Sequence, residues 1–406
     1  MSKWLLLYKG DFTQNLKGPE IRYLKIAEQL AMSGDEVTIA GSRGNTQGDV
    51  GFIAVGARLA LAKRFLTSDT IMIHGGGPFI LLLVLIAKLR GKQVLLDNYA
   101  PHWLELFTAS SNTTHSKPPS IKIAYNLFRT LFGLVVCDAV IAANKRQQDL
   151  YRGLAASTGN LQLLDKVVTL GFGCDPIVAE KSRKPLLELS EGKIGSDDIL
   201  LGWIGGLWEW FDYKPIVAAT SSAATTHSRL KLVFFGVSKD KQQEVEQYIA
   251  SLKQNTINNF IFMPWVEFND RLEVWSGLDA GIVWANQSIE NDYAARTRNY
   301  DCISARLPII QNWDDHWGPI IKEHRIGITT NEDALTEDLM SVSADRQSLD
   351  DYAKNIAPLY NDYSWDSVVA TLQTIKTSRK RRASISSALA LLVTGPIVLL
   401  NVLLHR

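Results

Sequence analysis

Apolar positions along the chain follow two alternating patterns. Short runs such as residues 4–8 are continuously apolar, whereas the segment after Gly18 repeats its apolar residues every three or four positions until Gly34. The first pattern predicts a buried strand, and the second predicts a helix with one apolar face. Strands that alternate with such helices are typical of a parallel α/β sheet.

The predicted strands fall into two series. Between them, residues 175–198 are rich in charged residues, proline and glycine, which is the composition of a linker. We therefore predict two Rossmann-like domains with a cleft between them. The predicted strands are residues 4–8, 36–41, 69–77, 93–99, 138–144 and 166–173 in the first series, and residues 199–208, 230–236, 259–266, 279–286 and 307–312 in the second.

The C-terminal segment differs from the rest of the chain. Residues 383–404 carry no charge, and four basic residues, 379–382, come directly before them. About 20 apolar residues can span a bilayer as a helix, and flanking cations favour the cytoplasmic side. We predict a membrane-associating hydrophobic tail helix. Its serines, Asn401 and the Gly395-Pro396 pair leave a surface helix or a disordered tail as alternatives to a true span.

The composition of the chain disfavours several classes of partner and site. With 43 basic and 42 acidic residues the formal charge is +1, which does not favour a nucleic acid partner. The three cysteines share no metal-ligand spacing, so we expect neither a zinc site nor disulfides. Because the apolar run at residues 4–8 is too short for a signal peptide, we expect the body of the protein to stay in the cytosol.

Six stretches recur in the order and spacing of one known family. They are KGPEIRYLKIAEQLAMSGDEVTIAG, DTIMIHGGGPF, VVTLGFGCDP, WIGGLWEWFD, RTRNYDCISARLPII and LYNDYSWDSVVATL. Over residues 4–370 the chain thereby resembles the GT-B glycosyltransferases of the retaining GT4 family, also called group 1.

The resemblance implies an enzyme of EC 2.4 type that moves a sugar from a nucleotide-diphosphate sugar onto an acceptor, with retention, and that needs neither a metal ion nor another cofactor. It implies an acceptor-side domain at residues 1–176, a linker at 177–197, a nucleotide-sugar-binding domain at 198–360 and a helix at 361–377 that crosses back to the first domain. With the tail at residues 378–406, we expect a membrane-associated acceptor, either a lipid-linked glycan or a cell-surface polysaccharide precursor. The expected location is the cytoplasmic face of a membrane.

The donor site must stabilise negative charge on the leaving pyrophosphate and hold the ribose and sugar hydroxyls. Gly205 and Gly206 lie between a predicted strand and a helix predicted near Asp212, where backbone N–H groups attract anions; the alternative is a plain turn. The family often has Arg at the position of Gly206 and Lys at that of Phe211, so this loop departs from the pattern. The donor-binding residues that the resemblance implies are Gly205, Gly206, Trp208, Val266, Arg298 and Asp301.

Two arginines and two acids form the next group. Arg296 and Arg298 lie at the start of a predicted helix, from which one of them can bind pyrophosphate oxygens bidentately. The alternative is a structural ion pair with Asp301 or Glu290. The resemblance assigns Asp301 to the ribose hydroxyls and Glu290 to the donor sugar, although their spacing is longer than in the family's Glu-x7-Glu motif. Glu290 is otherwise a solvated loop carboxylate.

His74 ends a predicted strand and is followed by three glycines at residues 75–77. It matches the family histidine that lies between the domains and faces the anomeric centre; the alternative is a structural histidine. The predicted catalytic residues are His74, Arg296 and Glu290.

The sequence gives weaker indications of the residues that bind the acceptor. Residues 118–132 are apolar with two cations, and they form either a buried helix or a helix that rests on anionic lipid. Four tryptophans near the predicted cleft either stack on sugar rings or belong to the core. The predicted acceptor-side residues are Gly18, Arg22, Asp97 and Asn98, and the four tryptophans are Trp208, Trp210, Trp313 and Trp317.

Two other functions remain open at this point. The departures in the Gly205 loop also fit a non-catalytic GT-B scaffold in a membrane assembly, and the fold also occurs in nucleotide-sugar epimerases. Fold analogy alone does not choose between these functions.

Overall fold

A computed structural model of the 406-residue chain describes residues 1–13, 16–106, 120–207, 211–252, 254–312 and 315–378. The chain divides into two compact units. Unit 1 comprises Met1–Gly173 and Trp365–Arg406, and unit 2 comprises Cys174–Ser364. The predicted tail, from residue 379 onward, lies outside the described residues.

Unit 1 is built on a parallel sheet. Within the described residues seven strands pair in the order β3-β2-β1-β4-β5-β6-β7, and every pairing is parallel. The central strands are buried along their length, as expected for a parallel sheet with helices on both faces. The strands are β1 (Lys3–Leu7), β2 (Glu36–Gly41), β3 (Val50–Ala54), β4 (Thr70–Ile73), β5 (Gln93–Asp97), β6 (Ala139–Ala142) and β7 (Val167–Thr169).

Helices connect these strands. The first ends at Met32, and Gly34 follows with a φ of +86°, a left-handed conformation that favours glycine. The last helix comes from the C-terminal part of the chain and packs against the first. The described helices of unit 1 include α1 (Gly18–Met32), α2 (Arg58–Thr67), α3 (Pro78–Leu89), α4 (Ser120–Val136), α5 (Lys145–Ser157) and α16 (Trp365–Ser378), with a 3₁₀ helix at Leu161–Lys166.

Unit 2 repeats this architecture. Its described strands pair in parallel in the order β10-β9-β8-β11-β12-β13. They are β8 (Ile199–Trp203), β9 (Leu230–Phe235), β10 (Phe260–Met263), β11 (Ala280–Val283), β12 (Ile309–Gln311) and β13 (Gly327–Thr329).

The helices of unit 2 lie around a core that includes Trp203, Phe234 and Trp284. They are α6 (Lys184–Leu189), α7 (Lys214–Ala224), α8 (Lys239–Ser251), α9 (Arg271–Ser276), α10 (Ile289–Tyr293), α11 (Thr297–Ser304), α12 (Trp317–His324), α13 (Glu332–Ala344), α14 (Arg346–Ile356) and α15 (Tyr360–Tyr363), with 3₁₀ helices at Ile257–Asn259 and Ala357–Leu359. None of the helices in the described part of the chain is both long and apolar enough to cross a membrane.

The two parallel sheets confirm the predicted α/β fold class. Each predicted strand overlaps a strand of the structure, but β3 and β13 were not predicted. Both are edge strands, and their half-exposed residues lack the continuous apolar run of the inner strands. Residues 177–197 also differ from the linker prediction, because they include α6 and belong to unit 2. Arg183 Nη2 lies 2.7 Å from Asp279 Oδ2, which fixes this segment to the unit.

A buried ion pair joins α1 to the carboxyl end of β5. Arg22 Nε lies 2.9 Å from Asp97 Oδ2, and both side chains are fully buried. Arg22 also donates to the main-chain oxygens of Leu170 at 3.2 Å and Gly171 at 2.5 Å. Neither side chain is accessible, so their predicted acceptor role is replaced by a structural one, in which Arg22 connects three segments of unit 1.

We expect Asp97→Asn to destabilise the protein. Removing one partner leaves the Arg22 charge buried without its counter-charge, which costs about 3–5 kcal/mol in the free energy of unfolding. Denaturant titration measures this loss. The double variant Arg22→Met with Asp97→Leu should recover much of it, because no unpaired charge remains. Parental stability in Asp97→Asn would contradict the structural role.

Candidate functional site

The loop after β8 is shaped by Gly205. Its φ of +107° is a conformation that side-chain-bearing residues rarely adopt. A Cβ at this position would meet the Arg298 guanidinium at 3.4 Å. The helix predicted near Asp212 begins slightly later, as α7 at Lys214, and Asp212 Oδ1 accepts from Lys214 N at 3.1 Å. The backbone conformation, and not the space beside Arg298, therefore favours glycine at this position.

Arg298, on α11, lies against this loop at Gly205 and Gly206. Its Nη2 donates to the main-chain oxygen of Gly206. The guanidinium carbon lies 3.9 Å from the ring centroid of Phe211 and 5.3 Å from that of Trp203. Phe211, which stands where the family often has Lys, therefore supports an arginine that comes from another part of the chain.

The charge of Arg298 is buried and not neutralised. Among the described residues no carboxylate lies within ion-pair distance of it, and its Nη1 is buried without a hydrogen bond. Burial lowers the pKa of Arg298 to about 9, although Cys302 and Asp301 oppose this. A buried cation of this kind is costly unless an anion joins it, so the position is suited to an anionic ligand.

Asp301 lies one turn further along α11. Arg271 Nη2 is 3.3 Å from Asp301 Oδ1 and 2.5 Å from Asp175 Oδ2. The Asp301 side chain is 30% exposed, which leaves it accessible to a ligand. Burial, and then the nearby charge of Asp175, raise the pKa of Asp301 to about 6, against the opposing charge of Arg271.

Arg296 takes a different partner from those expected. It precedes α11 with a left-handed φ of +36°, and its Nε lies 2.5 Å from Asp315 Oδ2. Burial lowers the pKa of Arg296, and the charges of Asp315 and then of Glu290, which is half-buried on α10, oppose this shift. Since Asp315 already neutralises Arg296, the two arginines are not equivalent. Arg296 has an ion-pair partner and Arg298 has none among the described residues, although both guanidinium groups have buried nitrogens without a hydrogen bond.

The remaining donor-side predictions are less informative. Val266 is half-buried in the loop after β10. Trp317 is fully buried on α12, with Tyr300 at 5.0 Å between ring centroids, so it belongs to the core. Trp208, Trp210 and Trp313 lie outside the described residues.

In unit 1, His74 lies just beyond β4 in a chain of hydrogen-bonded side chains. Its Nδ1 is 2.7 Å from the main-chain oxygen of Asp97, and its Nε2 is 2.9 Å from Nε2 of His102. His102 Nδ1 lies 2.7 Å from Glu105 Oε2. A carbonyl oxygen only accepts, so Nδ1 of His74 carries the proton and its Nε2 is an acceptor.

Burial, reinforced by His102, places the pKa of His74 well below its ordinary value. His74 is therefore neutral, and its Nε2 can accept from a hydroxyl but cannot donate to a phosphate oxygen. In this structure His102 occupies that acceptor position.

Two other acceptor-side residues have structural contacts. Asn98 is buried, and its Nδ2 donates to Thr130 Oγ1 at 3.2 Å while its main-chain oxygen accepts from Tyr151 at 2.6 Å. These contacts assign Asn98 to the packing of unit 1. Gly18 begins α1, where its backbone precedes Pro19.

The sequence interpretation missed Arg271, Asp175, His102 and Glu105. His102 follows β5 by a few residues, so the reasoning that selected His74 at a strand end would also have found it. Asp175 stands in the quoted stretch VVTLGFGCDP. Nothing in the local sequence distinguishes Arg271, whose role depends on how α9 packs.

Solved structures resemble this chain over nearly its whole length. HepE from Anabaena, in complex with UDP-glucose, matches with a TM-score of 0.66 at 12% identity, covering 93% of this chain and 100% of HepE. WaaG, a glycosyltransferase involved in lipopolysaccharide biosynthesis, matches with a TM-score of 0.65 at 14% identity, covering 92% and 99%. The sucrose-phosphate synthase of Thermosynechococcus elongatus matches at 0.63 and 13%, covering 93% and 99%.

The protein has the GT-B fold. This confirms the predicted fold. At these identities the likeness establishes the GT-B architecture and no activity. No protein-family model matches the sequence, and no curated protein matches it significantly.

If His74 faces the reacting sugar of a nucleotide-sugar donor, as the family resemblance implies, His74→Ala should lower turnover by about a hundredfold and change donor affinity by less than about threefold. Steady-state kinetics and calorimetry with the same donor separate the two effects. Thermal unfolding is the control. A variant with normal turnover per folded molecule would make His74 purely structural.

Proposed function

We propose that this protein is a glycosyltransferase that moves a sugar from a nucleotide-diphosphate sugar onto a membrane-associated acceptor. The acceptor class is a lipid-linked glycan or a cell-surface polysaccharide precursor. The observation that carries the proposal is Arg298, a buried arginine with a free Nη1 and no carboxylate in ion-pair distance among the described residues. It lies beside the Gly205 loop at the carboxyl edge of a parallel sheet, where ligands of open α/β sheets bind.

Pyrophosphate fits this position because it gains negative charge as the sugar leaves. An arginine that is already desolvated interacts more strongly with that charge than a hydrated one, and it needs no rearrangement during the reaction. Phe211 and Trp203 hold the guanidinium in place. Arg298 thereby supplies the phosphate contact that the family often makes with an Arg and a Lys, which the Gly205 loop lacks.

The other groups of unit 2 take the roles that the family resemblance implies. The Asp301 carboxylate accepts from the ribose hydroxyls, and Glu290 holds the donor sugar. Gly206 and Val266 line the nucleotide with main-chain atoms. Arg296 contributes by orienting the start of α11 through Asp315, so its expected catalytic role becomes a positioning one.

Similar structures support a nucleotide-sugar donor. HepE was solved with UDP-glucose and also with UDP and glucose, and WaaG is described as acting in lipopolysaccharide biosynthesis. We further propose that transfer occurs with retention, without a metal ion, at the cytoplasmic face of a membrane reached through residues 378–406.

Arg298→Ala should weaken UDP-glucose binding at least about tenfold, because a charge-assisted hydrogen bond contributes about 1.5–3 kcal/mol. Isothermal titration calorimetry measures the affinity, with GDP-, ADP- and dTDP-glucose as alternative donors. The matched control is Arg229→Ala, which removes an exposed arginine of the same unit at the start of β9.

If the parent protein binds none of these donors, the enzyme proposal fails and a non-catalytic scaffold takes its place. Conversion of a bound nucleotide sugar without any acceptor, seen by NMR, would instead indicate an epimerase. Equal affinities of the Arg298 and Arg229 variants would remove Arg298 from the donor site.

Affinity should also depend on pH through Asp301. Since its pKa is raised to about 6, UDP-glucose affinity should fall about tenfold between pH 7 and pH 5 as the carboxylate becomes protonated. The folded-state pKa exceeds the ordinary aspartate value of 3.8, so this group's contribution to stability decreases as pH rises from about 4 to about 6. Asp301→Asn should bind weakly and show no pH dependence in this range; a slope equal to the parent's would assign the titration to another group.

A further inference from the structure

Two neighbouring helices of unit 1 present leucines to the outside. On α2, Leu59 is 90% exposed and Leu66 37%; on α3, Leu82 is 53% exposed and Leu89 82%. The outer face of a helix on a parallel sheet is ordinarily polar. We call these four residues the leucine face, and an exposed apolar patch of this kind marks an interaction site.

The two helices that carry the leucine face are neighbours. Helices α2 and α3 pack side by side, and the guanidinium carbon of Arg58 lies 5.6 Å from the ring centroid of Phe79. Both helices lead into the amino ends of neighbouring strands, β4 and β5, so they run in the same direction. Because the helices are in contact they lie on one side of the sheet, and the two exposed leucines of each are seven residues apart, on one face of that helix.

Exposed cations predominate around the leucine face, although Asp69, just after α2, is also exposed and lies 3.9 Å from Lys92. Neither α2 nor α3 contains an Asp or a Glu. Arg58, Lys63 and Arg90 are exposed, the first two on α2 and the third directly after α3. Lys88, the one cation within α3, points inward to Asp138 at 2.5 Å. Apolar side chains flanked by exposed cations complement an anionic lipid surface.

The end of α16 lies at the same edge of the sheet. Lys376 Nζ donates to Ser2 Oγ at 2.7 Å, and the main-chain oxygen of Lys376 accepts from Gln93 Nε2 at 2.7 Å. Gln93 begins β5, immediately after the turn that follows α3. The sequence that continues from this point carries the basic residues 379–382 and the uncharged residues 383–404.

We propose that the leucine face rests on an anionic lipid bilayer, into whose interfacial region Leu59, Leu66, Leu82 and Leu89 insert. We propose that the C-terminal segment, whose sequence continues from the same edge of unit 1, binds this same bilayer. The inference rests on the proposed function only in placing the protein at a membrane, since donor chemistry in unit 2 does not enter it.

A fluorophore at the leucine face tests the proposal in the full-length protein. Cys137, Cys174 and Cys302 are all buried, so an environment-sensitive NBD label attaches selectively to Leu82→Cys. On vesicles of equal parts phosphatidylcholine and phosphatidylglycerol, NBD emission should rise several-fold and shift to the blue. The response should weaken on phosphatidylcholine alone and when Leu59→Glu is added.

Leu161→Cys is the matched control. Leu161 is an exposed leucine of the same unit, at 69%, and it precedes β7 at the far end of the sheet from β4. Its NBD label should keep an aqueous emission spectrum. Equal responses at positions 82 and 161 would overturn the proposal, because they indicate unspecific adsorption.

Two other results would also overturn it. An aqueous label at position 82 on protein that sediments with vesicles would show that the C-terminal segment binds without the leucine face. A blue shift without vesicles that grows with protein concentration would show that a second copy of the chain covers it. Calorimetry with UDP-glucose on the same labelled protein separates either failure from a failure of the proposed enzyme.

Discussion

In a parallel sheet all strands end at one edge, and this constraint places the chemistry of both units. His74 follows β4, and the Gly205 loop follows β8, each where a strand has ended and a helix is about to begin. Loops at this edge are free of ladder hydrogen bonds, so their backbone groups and side chains are available to a ligand. The left-handed Gly205 then shapes the loop against which Arg298 lies.

Buried charges in the two units show how pairing separates structural from functional residues. Arg22 forms an ion pair with Asp97 and donates hydrogen bonds to two carbonyl oxygens, so its charge is neutralised within the fold. Arg298 is also buried, yet it lies against the rings of Phe211 and Trp203 and has no carboxylate partner among the described residues. This difference in partner is the reason for proposing Arg298, and not Arg22, as the group that binds phosphate.

Sequence patterns predicted the inner strands and both sheets because a strand covered on two faces must be apolar along its length. The same patterns missed β3 and β13, whose edge positions relax that requirement. The roles of the site residues were harder to predict, since a position at a strand end does not reveal which side chain the residue will contact. Asp97 and Asp301 are both acids that meet an arginine, but only Asp301 keeps an accessible carboxylate.

Unit 1 is discontinuous in sequence, and this has a consequence for how the chain folds during synthesis. Its last helix, α16, is made after all of unit 2, yet Trp365 packs on Gly173 and Phe172 of unit 1. Unit 2 is a single stretch whose ends are joined by a bridge between Cys174 and Ser364, so it can complete its core while the ribosome is still translating. The domain that begins the chain is therefore the last to finish, with α1 uncovered until α16 emerges.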